Sequence, residues 1–179
     1  MAEERVIKIG MLGLGTVGTG VYKVLKSQQE LEQQTVSGQS LLKSQQEEML
    51  PKLGARVELK KILVRNVEKA AAKVDDPSII TTSFEEIAND PEIEIVVEVM
   101  GGKQPAMNYI LACLDAGKNV VTANKDLVAS EGKKILATAK RNGKDFLYEA
   151  SVAGGIPIIR PLKQCLAGND ISEVIGIVN

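Results

Sequence analysis

The stretch "RVIKIGMLGLGTVGTGVYKVL", Arg5 to Leu25, decides the fold. Apolar residues alternate through "RVIKIGMLG" as they do in a strand, whereas Val17, Val21, Val24 and Leu25 recur at helical spacing. Strand, glycine turn and helix therefore follow one another, with Gly13, Gly15 and Gly18 at G-x-G-x-x-G spacing. Gly13 permits the tight turn, Gly15 lets a pyrophosphate approach the backbone, and Gly18 allows close helix–strand packing. The helix N–H groups then face the phosphates. Alone the pattern is weak, since a glycine turn that only packs has the same letters. Its place at the first strand-to-helix turn favours dinucleotide binding. No G-x-x-x-x-G-K-[ST] occurs, which disfavours a nucleoside triphosphatase.

Outward from this unit, strand and helix patterns alternate. "VELKKILV" reads as a strand, "NVEKAAAKV" as a short helix, and "SII" or "IIT" as a weak strand. Ser83 and Glu86 have capping-box spacing at the start of a short helix, "FEEIAND". "EIEIVVEVM" is a strand with an almost continuous apolar centre, as expected when both faces are covered. Pro105 suits the start and Gly117 the end of a helix in "QPAMNYILACLDAG". "NVVTA", the helical "DLVASEGKKILATAKRNG" and the strand "DFLYEAS" follow; "IPIIRPLKQCLAG" is helical with a kink or restart at Pro161. Parallel neighbours need helical crossovers on both faces, so the fold class is α/β, a doubly wound parallel sheet of Rossmann type. Residues 1–150 are expected to form the dinucleotide-binding domain. "LKSQQE" occurs twice, at Leu25–Glu30 and Leu42–Glu47, in a glutamine-rich segment that reads as helix and surface loop. The closing "ISEVIGIVN" has a strand pattern with no returning element, which points to a polypeptide that continues beyond Asn179.

A chain of 179 residues, 44% hydrophobic and with a net charge of −1, suits one compact domain and gives no electrostatic footprint for nucleic acid. The acidic start "MAEERVIKIG" lacks the form of a signal peptide, and no apolar run reaches the roughly 18 residues of a membrane span. Cys113 and Cys165 are the only cysteines, and Cys113 lies on an apolar helical face with Ile110, Leu111 and Leu114, which fits a buried free thiol and a reducing, cytoplasmic compartment. The chain contains no histidine, so triads, metal sites or general bases that need imidazole cannot be built from it alone.

Three further stretches carry chemistry. After the second strand, where NAD-preferring folds usually present an acid to the ribose, the sequence has Arg65, which suits the 2′-phosphate of NADP; an exposed arginine of no such role is the alternative. "VEVMGG" and "VVTANK" each end a strand on the ligand-binding side of the sheet, bringing Gly101, Gly102 and Lys125 there. Partial burial or a neighbouring cation would lower the Lys125 pKa from about 10.4 and let it orient an oxygen and move a proton. A helix-start lysine reaching solvent is the bland reading. "YEASVAGGIPII" offers backbone carbonyls suited to a hard cation, or simply turn chemistry.

With these motifs assembled, the chain resembles the homoserine dehydrogenases. "GLGTVGTGV", "VEVMGG-x-x-PA", "GK-x-VVTANK-x-L-x-A", "YEASVAGGIPII" and "L-x-GN-x-I-x-x-x-x-GIVN" appear in that family's order. The resemblance implies NAD(P)-dependent interconversion of L-homoserine and L-aspartate 4-semialdehyde, a step toward threonine and methionine. It implies a nucleotide loop at Gly13, Gly15, Thr16, Val17 and Gly18, a cofactor-side strand end at Met100, Gly101 and Gly102, and a catalytic lysine, also touching the cofactor, at Lys125. It further implies a sodium-like monovalent cation at Glu149, Val152, Gly154 and Ile156, built largely from backbone oxygens. Family members continue into a substrate and dimerisation region with acidic substrate ligands and a second lysine. Residues 151–179 would be the beginning of that region, the whole protein a homo-oligomer, and this fragment inactive alone. A dehydrogenase of another amino-acid semialdehyde and a non-catalytic NADP-binding regulatory domain remain the alternatives.

Overall fold

A computed structural model of the chain describes residues 5–36 and 55–176. Its elements are β1 (Val6–Leu12), α1 (Thr16–Val36), β2 (Arg56–Leu63), α2 (Val67–Ala71), β3 (Ile80–Thr81), α3 (Glu85–Ala88), β4 (Ile93–Glu98), α4 (Ala106–Asp115), β5 (Asn119–Thr122), α5 (Lys125–Arg141) and β6 (Phe146–Leu147). The strands form one parallel sheet in the order β3-β2-β1-β4-β5-β6, the doubly wound architecture expected from the alternation. The first "LKSQQE" lies in α1; the second lies outside the described residues. The chain divides into two compact units, Met1–Ile95 and Val96–Asn179, with the boundary inside β4.

In the first unit, β1 and β2 pair in parallel with a bulge after Ile9, where Lys60 is the extra residue of β2. Ile9, Met11, Leu12, Ile62 and Leu63 enter the core, and Ile87 and Ala88 of α3 bury against it. Gly10 makes that contact possible: a Cβ there would stand 2.6 Å from Ile87 Cγ2. The expected capping box is not formed. Glu86 accepts from the Thr81 hydroxyl at 2.8 Å and pairs with Lys61, while the Ser83 N–H donates to Thr81 Oγ1 at 3.0 Å. Thr81, buried at the end of β3, outcompetes Ser83 because it reaches both groups from fixed strand backbone.

In the second unit, Ile110, Cys113 and Leu114 of α4 are buried, as are Val120 of β5 and Leu127, Ile135 and Ala139 of α5. Cys113 is a free, buried thiol as expected, and burial pushes its pKa up to about 12. Both helices end on a left-handed glycine, Gly117 (φ +78°) and Gly143 (φ +60°). The next residues, Lys118 and Lys144, return N–H bonds of 2.9 Å to Cys113 and Ala139. Asp115 accepts from Arg141 at 2.8 Å and Asn142 at 2.7 Å, tying the two helix ends together.

Two expectations for this unit fail. β6 pairs with β5 only through Phe146 and Leu147, and the rest of "DFLYEAS" turns away into a 3-10 turn at Glu149–Ser151. Glu149 is needed elsewhere, as the anchor of the helical segment that follows. That segment widens into a π-helical turn at Pro161–Cys165, where Leu166 N–H bonds Pro161 O at 3.0 Å; the expected disturbance at Pro161 takes this form. Residues 171–176 are not a strand; Val174 and Ile175 are exposed, and backbone without a neighbouring strand to pair with stays irregular.

Candidate functional site

The glycine turn lies between β1 and α1. Gly13 has φ +102°, open to glycine and strained for other residues, and its N–H donates to Leu63 O at 2.9 Å, extending the β1–β2 ladder by one bond. Gly15 carries no positive φ, and a Cβ on it would meet nothing within 4 Å. Neither backbone nor packing therefore demands glycine at 15. Thr16 and Val17 begin α1 exposed, Gly18 is buried, and Gly15 O is claimed by Thr19 through its N–H (2.9 Å) and hydroxyl (2.7 Å). Lys73 reaches in from beyond α2 and donates to Leu14 O at 2.9 Å. Arg65 is exposed after β2, followed by Asn66, whose side chain caps α2 by accepting from Lys69 N–H at 2.8 Å.

In the second unit the ends of β4 and β5 meet through a buried polar chain. Glu98 is 0% exposed. Its Oε1 accepts the Met100 N–H at 2.8 Å and its Oε2 the Thr122 hydroxyl at 2.6 Å. Thr122 Oγ1 accepts the Asn124 N–H at 3.0 Å. Asn124 in turn donates from Nδ2 to Gly102 O at 2.6 Å and caps α5 by accepting from Leu127 N–H at 3.2 Å. Gly101 (φ +76°) and Gly102 (φ +70°) form the exposed turn between the tied ends.

Lys125 is the first residue of α5 and is exposed; of the two conditions named for it, partial burial or a neighbouring cation, the first is not met. A cation there faces the positive end of the helix dipole, at a cost of about 0.3–1 kcal/mol that Asp126 partly offsets. Helix stability alone would not choose lysine at this point.

The fourth group surrounds Glu149. Its carboxylate accepts N–H bonds from Ile158 (2.5 Å), Ile159 (2.8 Å) and Arg160 (2.8 Å). Burial pushes its pKa up, but these amides and the Arg160 charge more than offset that, leaving it below the ordinary carboxylate range. Glu149 O accepts Val152 N–H and Ala153 O accepts Ile156 N–H, both at 3.1 Å, with Ala153 and Gly154 at φ +58°. The carbonyls of Val152, Gly154 and Ile156 are not among these acceptors.

Within the first unit, Gly13, Gly15, Thr16, Val17 and Gly18 share one turn, with Arg65 at the end of the adjacent strand. Within the second, Met100, Gly102 and Lys125 are linked through Asn124 and its neighbours. Sequence reading passed over Glu98, Thr122, Asn124 and Lys73. For the first three a signal existed: an acid in the otherwise apolar run "IVVEVM", and two polar residues ending "VVTAN". Lys73 gave none.

A family model described as "Homoserine dehydrogenase, NAD binding domain" matches residues 13–149. The homoserine dehydrogenase of Bacillus subtilis is 40% identical over 98% of this chain and 36% of its own length. That of Synechocystis is 42% identical over 97% of this chain and likewise 36% of its own length. The crystal structure of a homoserine dehydrogenase from Thiobacillus denitrificans superposes with a TM-score of 0.76 at 38% identity, covering 93% of this chain and 34% of that one. The chain thus spans about a third of the length of the relatives it matches. With its family match beginning at Gly13 of the glycine turn and running to the Glu149 anchor, the chain belongs to the homoserine dehydrogenase NAD-binding-domain family.

Proposed function

We propose that the chain is the dinucleotide-binding part of a homoserine dehydrogenase and that the whole protein interconverts L-homoserine and L-aspartate 4-semialdehyde by hydride transfer, on the way to threonine and methionine. The carrying observation is that the family match falls on a turn whose Gly15 has no internal reason to be glycine. When bound, the nicotinamide exchanges a hydride with the substrate's terminal carbon.

The chain's own residues supply the rest. Gly13, Gly15, Thr16, Val17 and Gly18 hold the pyrophosphate through main-chain N–H groups at the start of α1. Arg65, exposed after β2, pairs with a 2′-phosphate, so the cofactor is NADP in preference to NAD. Met100, Gly101 and Gly102 present backbone to the nicotinamide side. Lys125 offers its ammonium donors to the cofactor and to the substrate oxygen, and gives or takes a proton there. The exposed tip and the unfavourable helix position of Lys125 support this role.

A monovalent cation such as sodium belongs at Glu149, Val152, Gly154 and Ile156. The Glu149 carboxylate is committed to three amide donors, so neutral carbonyls dominate the donor set and favour a single charge. Residues 1–150 form the cofactor domain and 151–179 begin the substrate region, a division supported by the end of the family match at residue 149. The whole protein is a homo-oligomer acting on a small polar substrate, and the fragment alone does not turn over. Among the described residues no helix is long and apolar enough to cross a membrane. Free Cys113 and Cys165 fit a reducing compartment such as the cytoplasm.

The test is NADPH-dependent reduction of aspartate semialdehyde by the full-length protein. Lys125→Ala is expected to lower kcat by roughly 100-fold or more; an unchanged rate removes the lysine from the mechanism. Activity confined to a different semialdehyde would reassign the substrate, and nucleotide binding without any oxidoreductase activity would mark a regulatory domain.

A further inference from the structure

We infer that Glu98, Thr122 and Asn124 are positioning residues that preset the Gly101–Gly102 turn and the start of α5 as one surface for the nicotinamide half of the dinucleotide. The inference rests on the dinucleotide-binding reading above.

A carboxylate with no exposed surface, at the end of a strand whose preceding residues are Ile95, Val96 and Val97, is costly unless its oxygens are fully used. Glu98 uses both, one on the Met100 N–H just before the glycine pair and one on Thr122. From Thr122 the chain of bonds passes to the Asn124 main chain, and from the Asn124 side chain back to Gly102 O. The two ends of the glycine turn are thus tied to the same buried network.

The turn has little else to hold it. Both glycines are exposed at positive φ, and a Cβ on either would meet nothing within 4 Å. Two adjacent glycines are the most conformationally free pair a chain can have, so order here comes from the bonds at the ends. Capping α5 needs only the Asn124 oxygen. The second bond, from Nδ2 to Gly102, does nothing for the helix. It couples the turn to the residue that precedes Lys125, so the presented backbone and the ammonium are placed together.

Binding of NADPH and of 2′-phospho-ADP-ribose, which lacks the nicotinamide, separates this role from general stability. NADH and ADP-ribose serve as a parallel pair. The full-length protein is used, with Asn124→Ser, which keeps a capping oxygen but cannot span to Gly102. The expected result is a selective loss: about 5- to 10-fold weaker binding of the nicotinamide-bearing nucleotides, with less than about a 2-fold change for the fragments.

Thr122→Val should show the same selectivity and Thr122→Ser should restore near wild-type binding, which keeps the inference testable if the Asn124 variant folds poorly. Equal losses for both ligand types, or selective loss that Thr122→Ser does not rescue, would overturn the positioning role. Wild-type chain that binds none of the four ligands would overturn the dinucleotide reading itself, a separate and recognisable failure.

Discussion

The Lys73 ammonium donates to the main-chain carbonyl of Leu14 at 2.9 Å, bracing the glycine turn from the segment beyond α2. Two residues on, Asp75 accepts from the Tyr22 hydroxyl at 3.2 Å, returns its N–H to Tyr22 at 3.0 Å and pairs with Lys26, which holds that segment against α1. Lys73→Met keeps the aliphatic stem and removes the donor. Because a charged donor to a half-buried carbonyl is lost, stability should fall by about 1.5 kcal/mol. NADPH binding should weaken as the turn loosens. Urea unfolding with nucleotide titration checks both.

Gly13 and Gly15 should fail in opposite ways. Gly13→Ala forces a Cβ onto φ +102° and should cost about 1–2 kcal/mol in unfolding free energy. Gly15→Ala meets open space in the protein, so stability should hold within about 0.5 kcal/mol. Its methyl group would instead enter the proposed pyrophosphate site, weakening NADPH roughly 10- to 100-fold. A Gly15→Ala chain that binds NADPH normally would show that the turn only packs.

Arg65→Asp should reverse cofactor preference. The guanidinium proposed to pair with a 2′-phosphate is replaced by a carboxylate that would repel it and can accept from a ribose hydroxyl. NADPH affinity is expected to drop about 10-fold or more while NADH affinity holds or improves. Equal ratios before and after, measured by fluorescence titration, would remove Arg65 from the 2′-phosphate site.

Glu149 links the segment 149–165 to acid. Its pKa is depressed in the folded chain, so its contribution is complete above the ordinary glutamate range and disappears as pH falls through the lower, folded value. Amide exchange protection at Ile158, Ile159 and Arg160 should persist from neutral pH to near the ordinary range and collapse below it. In Glu149→Gln the protection should be weak at every pH, because a neutral amide oxygen is a poorer acceptor than a carboxylate. A variant with wild-type protection at pH 7 would contradict the anchoring role.

The alternation of apolar period, 2 in "RVIKIGMLG" and about 3.6 in the residues after Gly15, was enough to place β1, the turn and α1, because those choices depend on neighbours a few residues away. Helix ends were equally local: Gly117 and Gly143 stop α4 and α5 for the same conformational reason wherever the helices pack. The short elements were less legible. Ser83 and Glu86 had the spacing of a capping box, yet Thr81 and Lys61 took the partners from outside the window. β6 stopped after Leu147 because Glu149 is used by amides nine to eleven residues later.

By itself, then, the order of residues determined the strand–turn–helix alternation, the glycine positions and the motifs that mark the family, since each rests on short-range sterics and periodicity. Only the tertiary structure decided what those motifs are tied to. Glu98 and Thr122 stand 24 residues apart, and Lys73 and Leu14 stand 59 apart. A buried carboxylate or a half-buried ammonium takes whichever partner the fold brings within about 3 Å, and no local pattern encodes that choice.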